Sequence, residues 1–176
     1  MSNLIREARI FSIAAHEAVQ QKRKYTGEPY WKHPQAVANY VNAVQGRTEE
    51  MIVSALLHDV VEDTGVDLWT IFEIFGPTVY KYVEGLTDVS KPSDGNHVER
   101  KRIDREHIAI QCPEVKTIKL ADLIHNSESI LQHDRDFAKV YISEKELLLE
   151  VLKDGDSTLW NRAKQIVDAA KLELGI

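Results

Sequence analysis

The 176-residue chain predicts an all-α fold, and three observations carry that expectation. Apolar residues recur three and four positions apart along nearly the whole length, the spacing of one face of a helix. No stretch alternates apolar and polar residues for long enough to make a strand; 115–118 and 141–143 are too short or fall inside helical periods. Only 8 Gly and 5 Pro are present, which leaves little room for long linkers. About eight or nine helices in one domain, 1–176, are expected, and a chain of this size can bury roughly 70% of its unfolded surface.

In order, Ile5, Ile10, Ile13, Ala14 and Val19 predict a first helix ending near Gln21. A basic loop, "KRKYTGEPYWK", follows. "HPQAVANYVNAV" predicts a second helix with Pro34 in its first turn, where the missing N–H costs nothing, and Gly46 ends it. "TEEMIVSALLHDVVEDTG" predicts one helix capped by Thr48, with Glu49 and Glu50 in the first turn. Its centre, residues 51–57, is apolar nearly all round, which implies burial. Two shorter helices are expected near 67–75 and 77–89, and "SKPSDGN" is the clearest loop. "HVERKRIDREHIAI", "EVKTIKLADLIHNSESILQH", "SEKELLLEVLK" and a last segment from about Ser157 predict four more helices. The stretch from about 137 to 174 reads as packing helices, with "LLLEVL" as core or as the surface of a homo-oligomer.

Composition narrows the function. Hydrophobic residues at 43% and charged residues at 28% match a soluble globular protein. A formal charge of −6 argues against a broad nucleic-acid surface but leaves room for a local phosphate site. The single cysteine, Cys112, cannot close an intrachain disulfide, so a reducing compartment is expected. No apolar run approaches the ~20 residues that span a bilayer. The amphipathic N-terminus is interrupted by Arg6, Glu7 and Arg9, unlike a secretory signal. A cytoplasmic protein without membrane or nucleic-acid partners is expected.

Polar residues that a simple core would not choose sit in four places. In "ALLHDVVEDT", His58 and Asp59 end a buried stretch, where an unpaired carboxylate would cost several kcal/mol. A metal ion would supply the missing cation, with further ligands from other segments. Glu62 and Asp63 lie four residues beyond, one turn along the same faces. They suit acid–base work on a water or the positioning of substrate, or else a solvated helix end. Asp122 interrupts the apolar run of "KLADLIHN" although Asp is a poor helix-interior residue, which implies either a ligand or a buried ion pair. His33, at a helix start, is a ligand or a capping residue. Lys81, Arg100, Lys101, Arg102 and Lys119 could hold phosphates, although "ERKRIDRE" also fits a solvated helix laced with charge pairs. His16, His97, His107 and His133 are expected to be exposed and His125 buried.

In the order His…His-Asp…Asp, these positions resemble the HD superfamily of metal-dependent phosphohydrolases. "GEPYWKHPQAVA", "ALLHDVVEDT", "IFGPTVYKYVEGLTDVS" and "KTIKLADLIHNSESI" resemble successive motifs of its alarmone hydrolase branch, the hydrolase domain of Rel/SpoT enzymes and the stand-alone small alarmone hydrolases. The likeness runs from about residue 12 to 132. With no room for a synthetase or regulatory domain, it fits the stand-alone type. It implies an HD-domain helical bundle and removal of the 3′-pyrophosphate from guanosine tetra- or pentaphosphate, usually with manganese, one ion per chain. It also implies His33, His58, Asp59 and Asp122 as ligands, Glu62 and Asp63 as the catalytic carboxylate pair and Asn126 as a substrate-site residue. Many relatives carry an arginine nine positions before the first histidine ligand, against the guanine. Lys24 stands there, followed by Tyr25 and with Arg23 the nearest arginine, so a phosphatase for another nucleotide such as NADPH is the alternative within enzymes. A nucleotide-binding module without turnover is the alternative outside them.

Overall fold

The computed structural model describes residues 2–176, which form nine α-helices and one 3₁₀ turn at Pro92–Asp94. The helices fall into two compact units, a first that ends at Thr87 and a second from Asp88 to Ile176.

The first unit holds α1 (Asn3–Ala18), α2 (Lys32–Asn42), α3 (Glu49–Leu57), α4 (Val60–Asp63) and α5 (Leu68–Leu86). Helix α3 is the one on which α1, α2 and α5 all pack. That is why residues 51–57 are apolar on every face, and all seven are buried. Thr48 caps α3 by accepting the Met51 amide N–H, and Asp67 caps α5 by accepting that of Thr70. These caps satisfy donors that a helix start leaves orphaned.

One boundary differs from expectation here. The segment from Thr48 to Gly65 is two helices, because Asp59 leaves helical geometry at φ −99°, ψ −4° and α4 restarts at Val60. The helices expected at 67–75 and 77–89 are both present within the α5 span, separated as expected at Gly76, whose non-helical φ of +84° and ψ of 175° suit a residue without Cβ.

The second unit holds α6 (His97–Ala109), α7 (Pro113–His133), α8 (Arg135–Val151) and α9 (Ser157–Leu174). Helix α7 packs on both α8 and α9, and α8 packs on α6 and α9. Helix α8 begins eight residues before the expected 143, because Asp134 caps it through the Phe137 amide. Buried Ala138, Tyr141 and Ile142 carry the same stripe onward to Leu148 and Leu149.

At the α8–α9 turn, Gly155 lies so close to α7 that a Cβ would stand 2.9 Å from Leu120 Cδ1 and 3.1 Å from the Thr117 backbone N. Gly155→Ala should therefore overpack this junction and cost about 1–3 kcal/mol. That is a melting temperature several degrees lower by calorimetry; an unchanged melting temperature would show that the turn yields freely.

Candidate metal centre

The N-terminal turn of α2 and the C-terminal end of α3 bring His33, His58 and Asp59 together. One ligand atom from each lies within 4.8 Å of the other two. His33 takes its place through helical spacing: with Val37 and Val41 it forms the buried stripe of α2. His58 follows directly from the apolar run of α3 and is buried with it.

Hydrogen bonding fixes which atom each group presents. The Nδ1 of His58 is 2.8 Å from the Ala55 carbonyl, which can only accept, so Nδ1 carries the proton. In the neutral ring the lone pair is then on Nε2, which stands 3.0 Å from Asp59 Oδ2. His33 Nε2 is 3.5 Å from the same oxygen, and the two imidazole rings are 5.1 Å apart. A lone pair facing a carboxylate oxygen at this distance is repulsive unless a cation lies between them. Imidazole held through its other nitrogen by a backbone carbonyl is the usual arrangement of a metal-ligating histidine. The residues present therefore fit a divalent ion.

Asp59 is positioned in turn by Tyr30, whose hydroxyl donates to Oδ2 at 2.8 Å. The Tyr30 ring lies 5.0 Å from that of His16 and 5.7 Å from that of His33. His16 is fully buried rather than exposed, because Ala8, Ser12 and His16 share the inward face of α1. Its Nδ1 donates to Gln21 Oε1 at 2.7 Å, and Gln21 Nε2 donates to Asp63 Oδ2 at 2.9 Å. Tyr30, Gln21 and His16 thus form a supporting layer that the motifs alone did not assign. The four-residue spacing of Ala8, Ser12 and His16 was the signal available for His16. His125, expected to be buried, is half-exposed.

The other sequence-predicted residues fall as follows. Glu62 and Asp63 are exposed on the short α4. In the basic loop, the Lys24 ammonium lies 4.8 Å from the Tyr25 ring centre and the Arg23 guanidinium 5.8 Å from that of Tyr30. In the second unit, the buried Asp122 is 3.2 Å from Lys119 Nζ and accepts from Asn126 Nδ2 at 2.6 Å. Arg102 is engaged along its own helix by Glu99 and Glu106, as a charge-laced solvated face would be.

A helical protein that gathers two imidazoles and one carboxylate from neighbouring helix ends is a metal-binding helical domain. The chain belongs to the HD domain family, whose pattern matches residues 8–146. It is 38% identical over 130 residues to a probable GTP pyrophosphokinase of Mycobacterium leprae, covering 73% of this chain and 16% of that protein. Over 125 residues it is 37% identical to a probable guanosine-3′,5′-bis(diphosphate) 3′-pyrophosphohydrolase of Synechocystis, covering 69% of this chain. The chain spans 16% of the length of each of these relatives. A solved structure of a metazoan ortholog of SpoT, described as hydrolysing ppGpp, superposes with a TM-score of 0.84 at 27% identity, covering 96% of both chains. Among the described residues, no helix is long and apolar enough to cross a membrane.

Burial holds the pKa of His16 below 6.5, outweighing the hydrogen bond to Gln21 and the charges of Asp59 and Asp63. As pH falls through 6.5 the unfolded chain takes up a proton that the folded one resists, so stability should decline until the lowered folded pKa is reached. Urea unfolding of chelator-treated protein between pH 7.5 and 5.5 should show that decline, and His16→Gln should make it shallower; equal slopes for the two proteins would contradict it.

Proposed function

We propose that the chain is a metal-dependent pyrophosphohydrolase that removes the 3′-pyrophosphate from guanosine tetra- and pentaphosphate, giving GDP or GTP and pyrophosphate. The observation that carries this is the convergence of His33, His58 and Asp59 within an HD domain, with His58 in the tautomer that leaves a lone pair on Nε2. Superposition over 96% of a protein described as hydrolysing ppGpp supports the substrate class.

In this reading Asp122 is the fourth ligand, and one divalent ion is bound per chain. Nitrogen and oxygen donors without thiolate suit manganese or another borderline-to-hard ion. A divalent ion held there supplies a Lewis acid that polarises a phosphoryl oxygen and lowers the pKa of an attacking water. The protein's own groups do the rest. Glu62 and Asp63, exposed at the end of α4, take and return the proton of that water. Gln21 orients the Asp63 carboxylate for this task. Tyr30 keeps Asp59 Oδ2 turned toward the two imidazoles. Asn126, held by Asp122, offers its amide to the nucleotide. Lys24, Tyr25 and Arg23 form the base-facing loop.

A second reading, removal of the 2′-phosphate from a nicotinamide dinucleotide, is favoured by one feature. The Lys24 ammonium lies 4.8 Å from the Tyr25 ring centre at the position where the family resemblance implies an arginine, and a point charge pairs with a phosphate better than it stacks on guanine.

Incubating the manganese-loaded protein with guanosine tetraphosphate and, separately, NADPH decides between the two. Pyrophosphate released in step with GDP is the expected result, with kcat lowered about 10²–10⁴-fold in Asp63→Asn or Glu62→Gln. Orthophosphate from NADPH and no turnover of guanosine tetraphosphate would establish the second reading; no turnover of either nucleotide would overturn both.

A further inference from the structure

A cavity of about 320 Å³ opens in the first unit, lined by residues of α1, α2 and α3. That is the small end of the range for ligand pockets, roughly 300–1,000 Å³. Its floor is aliphatic: Ala38, Ile52 and Leu56 are buried, and half-buried Ile5 joins them. The cavity is not the metal centre. Gln35 and Leu56 line it, each two positions from His33 and His58 respectively, which is roughly 200° around the helix.

Arg9 brings the one charged side chain to this lining among the described residues. Its Nε–H is shut off from water and has no hydrogen-bond partner among them. A buried donor left unmet is destabilising, and other arginines of the chain are placed differently: Arg102, Arg135 and Arg162 each reach a glutamate. The exposed amides of the lining favour the same kind of ligand. Asn39 Oδ1 accepts from Gln35 Nε2 at 3.2 Å, and Asn42 Oδ1 accepts from Arg47 Nε at 3.4 Å. Each carbonyl is engaged, which leaves the NH₂ group of each asparagine, a donor, for an incoming group. The lining therefore combines one cation and spare donors with an aliphatic floor.

We propose that this cavity binds an aliphatic monocarboxylate, with the carboxylate on Arg9 and the alkyl chain over Ala38, Ile52 and Leu56. A planar guanidinium matches the two oxygens of a carboxylate. A phosphate dianion would bring more charge than one arginine meets and would leave the aliphatic floor uncovered. An ammonium would face donors and a like charge. The site stands apart from the proposed reaction and needs neither nucleotide nor metal.

Octanoate is the probe, titrated into the full chain with its isoleucine and leucine methyl groups labelled for NMR. The Ile5, Ile52 and Leu56 resonances should move together and saturate. Octanamide, the neutral analogue, should bind the wild type at least tenfold more weakly, a comparison that needs no variant to fold. Arg9→Met keeps an unbranched stem and removes the charge. It should weaken octanoate at least tenfold and leave octanamide within twofold, a split that general damage to the cavity would not give. Octanamide or orthophosphate binding as tightly as octanoate would overturn the site. So would octanoate binding to Arg9→Met within twofold of wild type, or no saturable shift of the three named residues.

Discussion

Two imidazole nitrogens and one carboxylate oxygen are held against one another at the junction of α2 and α3, and much of the first unit serves that constraint. A lone pair turned toward a carboxylate, as on His58 Nε2, does not stay so placed without support. Here the Ala55 carbonyl locks the His58 tautomer, the Tyr30 hydroxyl fixes Asp59, and the Val37–Val41 stripe seats His33. Helix α3 can deliver His58 to a buried position because α1, α2 and α5 cover it on all sides. Its end at Leu57, with Asp59 outside regular helical geometry, turns the carboxylate back toward His58 and His33. The interruption is part of how the site is assembled.

The second unit organises charge differently. Its buried carboxylates are held by a lysine or by backbone amides, Asp122 by Lys119 and Asp104 by the Val89 and Ser90 amides and the Ser90 hydroxyl. Lys116, almost fully buried, reaches out to Asp154 at 2.8 Å.

Much of this was legible in the sequence. The helical period, the cap at Thr48 and the nearly all-round apolarity of residues 51–57 are local properties, and local physics decides them. The pairing of His33 with His58 and Asp59 came from the order and surroundings of the motifs, because no local rule shows that residues 25 positions apart will meet. The start of α8 was hidden by the charges of "HDRDFAK" and by β-branched Val140 and Ile142, which weaken a helical pattern that Asp134 rescues. His16 was misplaced because Ile5, Ile10, Ile13, Ala14 and Val19 were read as the apolar face of the first helix, although Ile10 and Val19 are exposed. Only the packing of α1 on α3 selects the Ala8–Ser12–His16 stripe. Tyr30 and Gln21 act through hydrogen bonds across the basic loop, which composition cannot reveal.

The central claim is that His33, His58 and Asp59 share one cation. Anomalous diffraction from crystals soaked in manganese tests it most directly. One peak per chain should appear, roughly 2.0–2.3 Å from His33 Nε2, His58 Nε2 and an Asp59 oxygen, and Asp59→Ala should abolish it. A peak elsewhere, or undiminished metal content in Asp59→Ala, would contradict the account.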